Sequence, residues 1–244
     1  LQKARIEIMS MSDDDLDVQA EISWLTVRTT DINAVVEILE LEAIRQGRWQ
    51  DASEKINGKR QTTANTFLYV SQDTWVVVPY KWEFVAPDDV EITSGVRELC
   101  VQARESLICK LSQQFGEAQL FEFDTEYFCG TTAWMLARNG QLIRSFVYDL
   151  SSQFLRNFGE PTEAEQFMDW ARVRELENWT EEDWENWEED SDGETDLFIG
   201  CRGDSPKAVE TIKVARQWSI DPLCTDRPGK RFGILGNGKF VLCQ

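Results

Sequence analysis

The sequence predicts an α+β fold: a mainly antiparallel sheet covered by helices on one face, in a single domain over residues 21–244 with an acidic insertion at 177–196. Three observations carry that expectation. Hairpin signals outnumber parallel crossovers, helical patterns fall between groups of strand patterns, and no Pro/Gly-rich linker divides the chain. With 42% hydrophobic residues, thirteen Phe and ten Trp, the 244 residues can bury a core of ordinary size.

Residues 1–20 read as a flexible acidic tail, with Asp13, Asp14, Asp15 and Asp17 close together. Residues 23–29 (SWLTVRT) are strand-like from their β-branched and aromatic content. Thr30 suits an N-cap and Asp31 the first turn of a helix whose Ile32, Val35, Val36, Leu39 and Ala43 share one face. Residues 47–65 are polar and predict a long loop. Residues 67–70 and 75–78 flank Ser71-Gln72-Asp73-Thr74 as a hairpin, which Pro79 ends or places on a sheet edge.

A second unit repeats the alternation. Val96, Leu99, Cys100, Ala103, Leu107, Leu111 and Phe115 form an amphipathic stripe closed by Gly116. Strand patterns follow at 118–123, 133–138 and 141–148, the last two joined by Asn139-Gly140, the strongest short hairpin signal in the chain. Thr162 and Glu165 have capping-box spacing at the start of a further helix, with Phe167, Trp170 and Ala171 inward. Ser205-Pro206 opens a last helix bearing Val209, Ile212 and Ala215, and a hairpin is expected around Gly236-Asn237-Gly238.

Charge and composition narrow the function by exclusion. The formal net charge is −19, and no long basic segment offers the face that direct DNA or RNA binding requires. The chain has no histidine, which excludes Ser–His–Asp and Cys–His nucleophile systems and His-ligated zinc. Its six cysteines are scattered without a CxxC pair, so neither a zinc site nor a thioredoxin-type motif is expected, and Cys100 and Cys109 read as small core residues. No apolar run approaches the ~20 residues of a bilayer span. The opening LQKARIEIMSMSDDDLD lacks the apolar segment of a secretory signal, so a cytoplasmic setting is expected.

Short motifs yield to simpler explanations. In CRGDSP (201–206), Asp204 or Ser205 caps a helix and Pro206 takes its first position, which accounts for the RGD tripeptide without adhesion. Gly233, Gly238 and Lys239 have phosphate-loop spacing, but Phe240 replaces the magnesium-binding Ser/Thr and four residues follow it, too few for a helix. Aligning Gly193 to the sharp turn of a calcium loop puts Ile199 where a bidentate glutamate belongs. Glu117, Glu122 and Glu126 cluster in sequence, yet nothing there sets a glycosidase-like separation between any two of them.

The most informative segment is 177–196, ENWTEEDWENWEEDSDGETD, with eleven carboxylates, three tryptophans and no lysine or arginine. Acid attracts a basic partner over distance, and indole supplies area to bury against it. Trp184 and Trp187 fall on one helical side, where they either pack onto the domain or meet a partner. The expected binding set is Trp179, Asp183, Trp184, Trp187, Glu188, Glu189 and Asp190.

Three further segments, LSQQFGEAQLF (111–121), AWMLARNGQLIRSFVY through GEPTEAE (133–165) and VARQWSIDP (214–222), occur in an order and spacing that carry a resemblance. The chain resembles a group of uncharacterised bacterial proteins sharing FGE-x-Q-x-F, a W…G-x-(I/V)-(I/V)-R hairpin, GEPT-x-x-E and WS(I/V)DP. The resemblance spans about residues 107–222 and implies a bacterial origin and one fold, without an activity. The strand after Phe121, EFDTEYFCG, lacks the histidines expected of that group. Taken together, the expectation is a non-enzymatic acidic binding protein (an inhibitor, immunity protein or adaptor) with a basic protein partner and no cofactor, metal or membrane association. The alternatives are a structural or regulatory subunit of a bacterial assembly and an enzyme using carboxylates or cysteine.

Overall fold

Strand β1 (Ile22–Val27) sets the architecture because both of its sides are apolar. Trp24 lies on one side and Leu25 and Val27 on the other, all fully buried. A strand so composed must sit mid-sheet with cover above and below. The computed structural model describes residues 22–48, 66–71, 74–80, 94–123, 131–149, 154–180, 183, 208–220 and 232–237. Its further strands are β2 (Glu42–Arg48), β3 (Thr66–Ser71), β4 (Trp75–Tyr80), β5 (Glu117–Phe123), β6 (Thr131–Arg138), β7 (Gln141–Asp149), β8 (Phe154–Phe158) and β9 (Phe232–Asn237). They form one sheet in the order β2-β9-β3-β4-β1-β5-β6-β7-β8, and every neighbouring pair is antiparallel. The α+β class and the antiparallel sheet match the sequence expectation.

The expected one-sided cover is corrected, because helices lie on both faces. On the aliphatic face, α1 (Ile32–Ile38) and α2 (Ser94–Phe115) bury Val35, Val36, Val101, Ile108 and Leu111 against Leu25, Val27, Val76, Val78, Leu120 and Met135. The opposite face is aromatic. There, a 3₁₀ turn at Glu163–Glu165, α3 (Trp170–Leu176) and α4 (Ala208–Trp218) cover Trp24, Phe67, Tyr69, Phe121, Trp134, Phe146 and Tyr148. Trp134 stacks on Phe146 at 4.5 Å and Trp24 on Phe121 at 5.0 Å. Each such ring contributes roughly 1.5–3 kcal/mol by leaving water.

Local signals explain the turns. Asn139 and Gly140 both have positive φ, 49° and 81°, the left-handed pair that matches hairpin twist between β6 and β7. Gly116, at φ 88°, stops α2 as expected. Asp31 rather than Thr30 caps α1, accepting from the Ala34 N–H at 3.0 Å. The helix ends before Ala43, since Glu40 turns left-handed at φ 52° and β2 follows.

Several other expectations shift. Pro79 lies within interior strand β4, opposite Trp24, and not on an edge. Leu99 is exposed on α2, whose inward side also carries charge: Arg104 pairs with Glu122 at 2.9 Å, and Glu105 with Arg156 at 3.1 Å. Those buried ions are why apolar spacing alone misplaced the stripe. Val173 and Leu176 are the inward residues of α3, whereas Ala171 is exposed. Gly236 and Asn237 belong to β9, which inserts between β2 and β3 instead of forming a terminal hairpin turn. Residues 1–20, 49–65 and the CRGDSP motif lie outside the described residues.

Gly159, just past β8, combines φ 78° with the Ile143 carbonyl oxygen 2.1 Å from where a Cβ would stand. Gly159→Ala should therefore destabilise the fold by about 3 kcal/mol, combining left-handed strain with a backbone clash. Urea unfolding of the variant measures this, and an unchanged midpoint would contradict it.

Candidate functional site

The aromatic face contains indoles whose N–H groups need acceptors once buried, and for Trp134 that acceptor is the carboxylate of Glu165. Glu165 is fully buried. Its Oε1 accepts from Trp134 Nε1 at 2.7 Å and from Arg144 Nε at 2.8 Å. Its Oε2 accepts from the Thr162 N–H at 2.7 Å and from Thr162 Oγ1 at 2.9 Å. The capping-box spacing seen in the sequence thus reaches further than a helix end.

Arg144, also fully buried, donates through Nη1 to Asn157 Oδ1 at 2.6 Å and to the carbonyls of Phe158 at 2.9 Å and Gly159 at 3.2 Å. Its guanidinium carbon lies 5.0 Å from the Trp170 ring centroid and 5.7 Å from that of Phe146. Enclosure lowers the Arg144 pKa, while the nearby Glu165 charge and hydrogen bond, then Glu177 and Glu160, pull it back up. An arginine remains cationic in such a setting.

The network continues to α4. Trp218 Nε1 donates to Thr162 Oγ1 at 3.1 Å, and the Trp218 carbonyl accepts from Gln119 Nε2 at 3.3 Å. Gln119 Oε1 accepts from Thr26 Oγ1 at 3.0 Å and from Ser219 Oγ. Gln119 Nε2 also reaches Glu117 Oε1 at 2.7 Å, and Arg138 Nε reaches Glu117 Oε2 at 2.9 Å. Residues from all three segments that carry the sequence resemblance therefore meet in one hydrogen-bonded chain. The spacing of Thr162 and Glu165 signalled one link; the partners on β5, β6, β7 and α4 had no sequence signal.

Above this network lies a cleft of about 590 Å³ lined by Pro161, Thr162, Glu163, Gln166 and Trp170. Trp170 is held by its Nε1 donating to the Glu165 carbonyl at 3.2 Å. Exposed carboxylates surround this end of the molecule at Glu160, Glu163, Asp169, Glu175, Glu177 and Asp183. Among the bases on α3 and α4, Arg172 pairs with Glu175 and Lys213 lies 3.8 Å from Glu210, while Arg174 is exposed one turn beyond Trp170.

Of the expected binding set, two residues are described. Trp179 is half-buried, packs against the aromatic core, and has the Arg172 guanidinium 5.1 Å from its ring centroid. Asp183 is exposed and closes a capping box with Thr180, its Oδ2 accepting from the Thr180 N–H and Oγ1, each at 2.7 Å. The Asp183 N–H returns a bond to Thr180 Oγ1 at 3.2 Å. These bonds, the backbone one first, hold the Asp183 carboxyl below its ordinary pKa. Trp184, Trp187, Glu188, Glu189 and Asp190 lie outside the described residues.

Other chemistry is constrained by placement. Glu117 and Glu122 are five residues apart on β5 and so face opposite sides of the sheet, Glu117 toward Gln119 and Glu122 toward Arg104 on α2. They cannot act as a facing carboxylate pair. Glu126 lies outside the described residues. Cys100 is buried and Cys109 half-buried on α2, and burial, then the Glu105 charge, pushes the Cys109 thiol pKa up, away from a reactive thiolate. Among the described residues no group of His, Cys, Asp or Glu is arranged to hold a metal ion, and no helix is long and apolar enough to cross a membrane. No family model, curated protein or solved structure matches this chain.

Two measurements probe this geometry. Glu165→Gln leaves the buried Arg144 charge uncompensated and should cost about 3–5 kcal/mol in urea unfolding. The Arg144→Met/Glu165→Leu double variant should cost less than the two single changes combined, and strict additivity would refute the coupling. At the capping box, a depressed folded pKa stabilises the turn above the unfolded aspartate pKa, and that contribution disappears as pH falls through the folded value. The Asp183 carboxyl should therefore titrate below the ordinary aspartate range, and Thr180→Val should raise its midpoint as followed by NMR.

Proposed function

We propose that this chain is a non-enzymatic acidic binding protein of the bacterial cytoplasm, an inhibitor, immunity protein or adaptor, that engages a basic protein partner. One observation carries it: eleven carboxylates and three tryptophans occupy 177–196 with no base among them. The start of that stretch is anchored, since Trp179 packs on the core and Thr180 and Asp183 close a turn. The acids at Glu160, Glu163 and Asp169 extend the same negative field. Long-range attraction of this kind raises association rates toward ~10⁸ M⁻¹s⁻¹ at low salt. Trp184 and Trp187 then slow dissociation, at ~2 kcal/mol or more each when fully buried. A toxin's nucleic-acid groove is an attractive target, because a row of carboxylates imitates phosphates.

A second function, as a structural or regulatory subunit of an assembly, is favoured by the exposed apolar residues Ile44 on edge strand β2, Phe158 on edge strand β8 and Leu99 on α2. Deleting 177–196 separates the two, since an assembly subunit should still incorporate. With the partner captured from the native host, association with the acidic protein should slow steeply as salt rises, and Trp184→Ala should raise the off-rate about 30-fold. A salt-independent on-rate would overturn the proposed function.

A further inference from the structure

The cleft above Glu165 has the chemistry of a receptor for one kind of side chain. We propose that it takes an arginine side chain of the basic partner, an inference that rests on the function proposed above and names its point of contact. The depression is wide open to solvent, so it offers a contact surface for an extended side chain rather than an enclosing pocket. Trp170 and Pro161 supply apolar walls, Gln166 an amide, and Glu163 a carboxylate; Glu160 and Asp169 are the exposed sequence neighbours of Pro161 and Trp170. The lining contains no lysine or arginine.

The buried cation beneath does not cancel this field. Arg144 is fully enclosed and balanced by Glu165 at 2.8 Å, so the exposed groups, Glu160, Glu163 and Asp169 against Arg174, decide the charge an incoming group meets. The walls are also fixed beforehand. Thr162 is tied to Glu165 and Trp218, and the Trp170 indole to the Glu165 carbonyl, so little ordering cost remains for binding. Arginine suits the site better than lysine because a planar guanidinium stacks on indole while forking toward carboxylates. The protein itself uses arginine–indole stacking, Arg172 on Trp179 and Arg144 on Trp170, and Arg144 already holds one side of the Trp170 ring.

The test uses the full chain at about 0.15 M salt, where screening weakens diffuse attraction between exposed charges. The Trp170 indole N–H resonance, assigned by its loss in Trp170→Phe, is followed by NMR during titration with octa-arginine or octa-lysine. Octa-arginine should give a saturating shift and bind about fivefold tighter than octa-lysine. The Glu163→Lys/Gln166→Lys variant should weaken octa-arginine binding by about tenfold or more. Both changes are at exposed positions, and an unmoved Trp134 indole resonance verifies the fold.

An unmoved Trp170 resonance, equal or tighter lysine binding, or indifference to the double variant would each overturn the cleft assignment. Changing Glu188, Glu189 and Asp190 to Gln, Gln and Asn separates the two proposals. Binding abolished by that triple change but untouched by the cleft variant overturns the cleft and supports the acidic stretch. Octa-arginine binding abolished by the cleft variant and kept by the triple variant supports the cleft.

Discussion

The fold's aromatic face closes around the fully buried carboxylate of Glu165. Placing Glu165 out of water is costly by itself, and four donors offset that cost: an indole, a guanidinium, a backbone amide and a hydroxyl. Those donors come from β6, β7 and the segment entering the 3₁₀ turn, so one side chain ties the cover to the sheet. Arg144 in turn satisfies the carbonyls of Phe158, which ends β8, and of Gly159 just past it, which fixes where the chain leaves the sheet. The polar path onward through Thr162, Trp218 and Gln119 locks α4 onto the same face.

The two faces of the sheet are held by different physics. The aliphatic face excludes water and requires few specific partners, apart from the Arg104–Glu122 and Glu105–Arg156 pairs at α2. The aromatic face buries more area per residue, but its indoles bring N–H groups that must be matched. That requirement produces the polar network, and the network immobilises the cleft lined by Trp170. Rigidity at the surface is thus a consequence of hydrogen bonding beneath it.

Function, as proposed, uses charge at two ranges. The acidic stretch acts over a Debye length, where geometry matters little and net charge matters most. The cleft acts at contact, where shape and the planarity of a cation decide. Trp179 joins the two in the chain, packed on the core at the point where the acidic run begins.

Much was legible from residues alone. Periodicity and turn chemistry located β1, the β3–β4 hairpin, α2 with its Gly116 stop, and the Asn139-Gly140 turn, because each is decided by backbone preference within a few residues. The charge of 177–196, and the exclusions drawn from the missing histidines, also follow from composition. The strands β2 and β8 left little trace: EAIRQGR and FLRNF lie on the two sheet edges, where one-sided pairing weakens any apolar alternation. Cover on both faces was missed because short apolar runs do not reveal which side meets a helix. The Glu165 network was legible only at its Thr162 link. Trp134 and Arg144 lie 31 and 21 residues from Glu165, and Trp218 lies 56 from Thr162, and only tertiary packing, which penalises unpartnered buried donors, brings them together.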